Sequence, residues 1–174
     1  VSVVEMYGMT QVEKIPVGIN LHRIEADKYG KLWVTSRGNY GSVRSKMFVL
    51  ERENKFSHKM VVTDTLDIPC SEMCIQGDSL YFYSVEWNNQ EERNNITYGI
   101  INVRTRELIT DHFITDGTEQ NIEIPYGINV NPANGDIYVT DAKNYVSSGA
   151  LHCYSREGKK KWSATCIKNI MAPS

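Results

Sequence analysis

An Ile-Pro step recurs along this chain at Ile15-Pro16, Ile68-Pro69 and Ile124-Pro125, and Ala172-Pro173 opens a fourth unit. The prolines stand 53, 56 and 48 residues apart. After each step the same order follows: a short apolar strand, a glycine turn, a strand with an aromatic residue, a polar loop and two further strands. A period of about 40 to 50 residues with that internal order suits the four-stranded blades of a β-propeller, and no other feature constrains the fold as tightly.

The first strands of the units are Ile19 to Ala26, Cys70 to Gln76 and Ile128 to Asn131. The turns are Asp27-Lys28-Tyr29-Gly30, Gly77-Asp78-Ser79 and Asn134-Gly135-Asp136. Asn-Gly is the strongest hairpin signal, because both positions tolerate positive φ. The aromatic strands are Lys31 to Val34, Leu80 to Tyr83 and Ile137 to Val139. Third strands follow at Met47 to Leu50, Tyr98 to Val103 and Ala150 to Tyr154, and more polar fourth strands at Phe56 to Val62, Leu108 to Phe113 and Lys161 to Thr165. Polar character suits an outermost strand with one edge in water. Apolar inner strands suit a sheet sandwiched between neighbours. No segment keeps an i, i+3, i+4 apolar period over ten residues, so no substantial helix is expected. A β-sandwich would have similar strand counts but would not require this repeat.

The expected architecture is therefore all-β: a single segment over residues 1–174, built from about three blades of four antiparallel strands, at residues 15–64, 67–116 and 123–170. Residues 1–8 read as the outer strand of a preceding blade. Roughly four to eight blades close a propeller, so three form an arc of a larger ring. Open blade faces would permit self-association.

The chain of 174 residues is 41% hydrophobic and 23% charged, as in globular proteins. Nineteen basic and 21 acidic residues leave a net charge of −2, which offers nucleic acid no basic face. The run Lys159-Lys160-Lys161 follows Glu157-Gly158 and reads as a solvated hairpin turn. No stretch reaches the roughly 18 apolar residues of a membrane span. Of the cysteines, Cys70 and Cys74 share a strand and would sit about 13 Å apart, too far to bridge. Cys153 and Cys166 fall on neighbouring strands, where pairing is feasible, although small buried thiols are the simpler reading of all four.

No H-x-x-x-H or C-x-x-C spacing marks a zinc site, and no G-x-S-x-G elbow marks a serine hydrolase. His22, His58, His112 and His152 are scattered over different strands. Asp27, Asp78 and Asp136 stand in tight turns, where a carboxylate accepts backbone hydrogen bonds. Neither a cofactor nor a metal is expected.

The stretches Gly18 to Arg23, Asp27 to Tyr40, Ile124 to Pro132 and Gly135 to Asp141 resemble the YncE-like propellers of Bacteroidetes, and Ile137-Tyr138-Val139-Thr140-Asp141 is similar to their YVTN repeat. The resemblance spans nearly the whole chain, with the middle unit more diverged. It implies an exported protein of the periplasm or cell surface, with a lipid anchor as an option in the precursor, and a binding role without a defined reaction.

In a propeller, the start of each first strand and the end of each second strand meet at one face, where ligands are usually held. The expected ligand-binding residues there are His22, Arg23, Arg37, Asn39, Glu72, Trp87, Tyr126, Asp141 and Lys143, with Tyr40 and Tyr145 nearby. Flat aromatics beside hydrogen-bonding side chains suit a protein, peptide or glycan. Single surface aromatics also pack over blade ends, so the set carries more weight than any member. The expectation is a non-enzymatic binding module. One alternative is a hydrolase or lyase resembling the calcium-dependent lactonases of the gluconolactonase type. Asp141 matches their metal-binding Asp, but Tyr126 and Val17 stand where those enzymes carry Asn. The other alternative is a structural interaction scaffold.

Overall fold

The computed structural model describes residues 1–39 and 42–165. It is all-β, with three four-stranded antiparallel sheets in which each strand pairs with the next in sequence. That meander is the form of a propeller blade. The chain divides into two compact units, Val1–Ser71 and Glu72–Ser174.

The first unit begins with a hairpin of β1 (Ser2–Val4) and β2 (Gln11–Lys14). Sequence reasoning expects a single outer strand here. The second strand was hidden because Gln-Val-Glu-Lys is short and mostly polar. The first blade follows, with β3 (Leu21–Ala26), β4 (Leu32–Ser36), β5 (Lys46–Arg52) and β6 (Met60–Leu66). Its core is Ile15, Val34 and Leu50, with Val1, Val3, Val17, Leu21, Leu32, Phe48 and Met60 packed around them. Leu32 pairs with Leu50 and Val34 with Phe48, so this cluster lies on one face of the sheet and the hairpin covers that face. The Asp27 carboxylate accepts from the backbone N–H groups of Tyr29 and Lys31 and from the Trp33 indole, the turn-locking role expected of it.

Two features of this blade depart from expectation. The fourth strand starts at Met60 rather than Phe56, because Asn54 and Ser57 tie the intervening chain into turns that leave Phe56 96% exposed. Leading strand β3 is largely exposed rather than apolar on both faces.

The second unit holds two blades. One is β7 (Glu72–Gln76), β8 (Ser79–Asn88), β9 (Arg93–Asn102) and β10 (Leu108–Thr110). The other is β11 (Pro125–Val130), β12 (Ile137–Asp141), β13 (Ala150–Tyr154) and β14 (Lys160–Thr165). Strand alternation sends Tyr81, Tyr83 and Tyr98 to one side of the first of these sheets, where they meet Val130, Ile137, Val139 and Tyr154 of the second. Phe113 packs edge-on against Tyr81 and Tyr98, with ring centroids 6.0 and 5.8 Å apart, a favoured aromatic geometry. A single 3-10 turn at Thr118–Asn121 is the only helical element among the described residues.

Gly158 joins the link between these blades to the β13–β14 turn. Its φ is +79°, a Cβ there would collide with the Phe113 carbonyl, and its own carbonyl accepts from Thr115 N–H at 2.9 Å. Only glycine meets both demands.

The proline marks are not equivalent positions. Pro125 is the first residue of β11, Pro69 lies three residues before β7, and Pro16 lies five residues before β3. Proline lacks the N–H that a ladder needs, so it is confined to strand starts and approaches, and its distance from the strand is free to vary. Register gives the true alignment: Leu21 faces Ser36 as Pro125 faces Asp141. His22 therefore corresponds to Tyr126, and the segment from Ser36 to Asn39 to that from Asp141 to Asn144.

Cys70, Cys74 and Cys153 form no disulfide, and burial pushes the Cys153 thiol up. Cys166, Tyr40 and the fourth unit at Ala172-Pro173 lie outside the described residues.

Candidate functional site

In the first unit, β3 and β4 bring His22, Arg23, Arg37 and Asn39 to one end of the blade. Arg37 Nη2 lies 2.8 Å from His22 Nε2. Arginine only donates, so Nε2 accepts and the ring hydrogen sits on Nδ1. Arg23 N–H donates to Thr35 Oγ1 at 3.0 Å, which fixes the strand beside it. The loop after β4 is held from below: Arg37 N–H donates to the Asn20 carbonyl at 3.0 Å, Ser36 Oγ donates to the Ile19 carbonyl, and Asn39 Oδ1 accepts from Val43 N–H at 2.9 Å. Gly38 supplies the left-handed step at φ +66°.

In the second unit, the middle blade does not follow the expected plan. Sequence reasoning places Glu86, Trp87 and Asn88 in a loop, but β8 and β9 continue pairing through Asn88 and Arg93 as a long ribbon. Glu72 pairs with Tyr83 at the start of β7 and is buried. Trp87 lies four residues farther along β8, about 13 Å beyond at the strand rise. These two side chains are therefore at different levels of the blade, and Trp87 is 60% exposed on the ribbon. Alternating Val85, Trp87 and Ile96 with polar neighbours is strand-like, the signal that a loop assignment overlooks.

The third blade gathers Tyr126, Asp141 and Lys143 into one cluster. Asp141 is buried and anchors the connection on either side of it. Its Oδ1 accepts from Ile124 and Lys143 N–H at 2.9 Å each, and its Oδ2 from Glu123 N–H at 3.1 Å. Lys143 Nζ lies 3.3 Å from Asp141 Oδ2 and 3.2 Å from Glu123 Oε1. Burial pushes the Asp141 carboxyl up, but the three N–H groups and the Lys143 ammonium outweigh it and hold the carboxyl below its usual range. The Glu123 carboxylate, and then Asp141, raise the Lys143 ammonium in turn.

Above this base stands an aromatic pair. The Tyr126 and Tyr145 rings meet edge to face with centroids 6.1 Å apart and an interplanar angle of 80°. Both are exposed, at 63% and 67%. Tyr145 takes a φ of +63° and Lys143 a φ of +54°, left-handed conformations that cost a non-glycine residue about 1–2 kcal/mol each. The surrounding hydrogen bonds overcome that cost. Tyr145 N–H donates to the Ala142 carbonyl at 3.0 Å, and Asn144 Oδ1 accepts from Val146 and Ser147 N–H at 3.0 and 2.7 Å.

Two members of this cluster escape a reading of the sequence. Glu123 precedes the strand and carries no motif. His152 looks like one of four scattered histidines, yet β12–β13 pairing sets it on the Asp141 side of the sheet. Its Nδ1 lies 2.8 Å from Ser163 Oγ, while its Nε2 is 3.7 Å from Asp141 Oδ2, too long for a hydrogen bond. Burial, then Lys160, pushes the His152 imidazole down.

No protein-family model matches the chain, and no curated protein matches it by sequence. Among the described residues, no group of three or more His, Cys, Asp or Glu side chains is placed to hold a metal ion, and no helix is long and apolar enough to cross a membrane.

Proposed function

We propose that this chain is a non-enzymatic binding module, taking a peptide, protein or glycan ligand at the blade end of the second unit that displays Tyr126 and Tyr145. The observation that carries this reading is the loop after β12. It spends backbone strain and a buried carboxylate to hold two exposed tyrosines edge to face. Strain maintained by surrounding hydrogen bonds concentrates at sites of function, and exposed aromatic faces beside Lys143, Glu123 and Asn144 fit flat apolar surfaces with polar edges. An exported, cell-envelope setting belongs to the same proposal and rests on the resemblance of the sequence. The cation-dependent alternative finds little support in Asp141, whose two oxygens already receive three N–H donors and an ammonium.

The test is titration of the chain with β-linked oligosaccharides and with proline-containing peptides, following tyrosine resonances by NMR. Tyr126→Ala and Tyr145→Ala are each expected to weaken saturable binding at least tenfold. Tyr7→Ala, at a residue 91% exposed on the hairpin turn, should leave it unchanged. Equal binding by all four proteins would remove the site.

A further inference from the structure

The third blade has two faces, and among the described residues only one packs against the other blade of its unit. Ile137, Val139 and Tyr154 meet the middle blade, where they cover the Tyr81 and Tyr83 side of that sheet. The opposite face carries Tyr138, Thr140, Leu151 and, one strand further out, Trp162. A groove of about 470 Å³ runs along it, lined by Gly127, Asn129, Pro132, Tyr138, Thr140 and Leu151. Tyr138 and Trp162 stack at a tilt with centroids 6.0 Å apart, and Trp162 remains 44% exposed. By position in the repeat, Tyr138 corresponds to Tyr81, so this face is the counterpart of the one on which the third blade itself is seated.

The hairpin shows the complementary surface. It covers the Leu32 and Val34 side of the first blade through Val1, Val3 and Ile15, which is where a neighbouring blade would pack. It thus behaves as half a blade. Its outer side leaves Val4 and Val12 exposed at 54% and 62%, and its turn leaves Met6, Tyr7 and Met9 exposed at 76%, 91% and 76%. Five apolar side chains on one short hairpin form the sort of patch that marks a contact surface. In repeat order, the outer side of a blade that covers Leu32 and Val34 is the side that belongs on a Tyr138-type face.

We propose that the Tyr138–Trp162 face of the third blade receives the outer side of the β1–β2 hairpin of a second copy of the chain. The two surfaces differ, so the contact is heterologous and joins copies head to tail.

Light scattering during gel filtration tests this over a range of loading concentrations. The wild-type mass should rise above the 19.8 kDa of one chain as concentration increases. Val12→Glu and Trp162→Glu should each stay at the mass of one chain, with far-UV circular dichroism unchanged. Mixing the two variants is the decisive arm. Each retains the surface the other has lost, so the mixture should form a species of two chains and grow no further. Thr140→Glu, at an exposed position in the same groove, replaces Trp162→Glu if the latter loses β structure. A wild type of one-chain mass at every concentration overturns the proposal. So does a folded variant that still associates alone, or a mixture that stays at one-chain mass.

Discussion

The loops after β4 and β12 solve one backbone problem with different chemistry. Both turn back over their blade, both make their second residue left-handed, at Gly38 and Lys143, and both use an asparagine side chain to close the turn, at Asn39 and Asn144. Beneath them the anchors differ. Ser36 uses one hydroxyl, which donates to the Ile19 carbonyl and accepts from Gly38 N–H at 3.3 Å. Asp141 gathers three N–H groups and an ammonium on a buried carboxylate. The stronger anchor accompanies the costlier loop, in which Lys143 and Tyr145 both adopt left-handed φ without being glycine. A loop whose strain falls on glycine needs less beneath it than one that must display a lysine and a tyrosine.

The largest test of this comparison is removal of each anchor. Asp141→Ala strands buried N–H donors and the Lys143 ammonium, and is expected to cost about 3 kcal/mol, since hydrogen bonds to charged groups carry about 1.5–3 kcal/mol each and some donors will find water. Ser36→Ala should cost about 1 kcal/mol. Urea unfolding of both variants checks the ratio. Equal losses would mean that Asp141 does no more for its loop than the serine does.

The left-handed positions give the next effect. Gly38→Ala should cost about 2 kcal/mol or more, because the φ penalty of about 1–2 kcal/mol is joined by collision of the new Cβ with the Val43 carbonyl. Lys143→Gly should change stability by less than about 1 kcal/mol. Relief of the left-handed strain offsets both the lost ion pairs and the greater freedom of glycine in the unfolded chain. A large loss at Lys143→Gly, matched by unchanged backbone hydrogen exchange in the loop, would place the value of Lys143 in its charges rather than in the turn.

The blade plan was legible in the sequence because it rests on local signals: the Asn134-Gly135 turn, the Asp27 turn, and the apolar cores of β4, β8 and β12. The two loops were legible as polar segments at strand ends, and Tyr126, Asp141 and Lys143 do cluster. What their side chains do was not legible. Asp141 reads as a surface ligand in sequence and is a buried anchor in the structure, because three of its donors come from backbone groups that any residue could supply. The proline repeat misled the alignment by a few residues, since proline marks the approach to a strand and not its register. Trp87 was placed with Glu72 because an extended ribbon and a polar loop share a composition when only alternation separates them.

His152 and Phe48 provide the smallest test, because they occupy the same place in the two blades: His152 faces Val139 as Phe48 faces Val34. The first blade carries a ring that cannot titrate, and the third carries one whose pKa is held down chiefly by burial. A histidine with a folded pKa below its unfolded value of about 6.5 takes up its proton more readily in the unfolded chain. Its contribution is therefore fully present above about pH 6.5 and is lost as pH falls from there toward the folded pKa. Asp141 contributes in a separate window. Its depressed pKa gives stability that is present above the usual carboxylate value of about 3.9 and lost at lower pH. Thermal midpoints at pH 7 and pH 5 should therefore differ more for the wild type than for His152→Phe, while both proteins should fall together below pH 4. An undiminished difference in His152→Phe would show that the acid sensitivity between pH 7 and 5 arises elsewhere, and that the buried imidazole is as inert as the phenylalanine that replaces it.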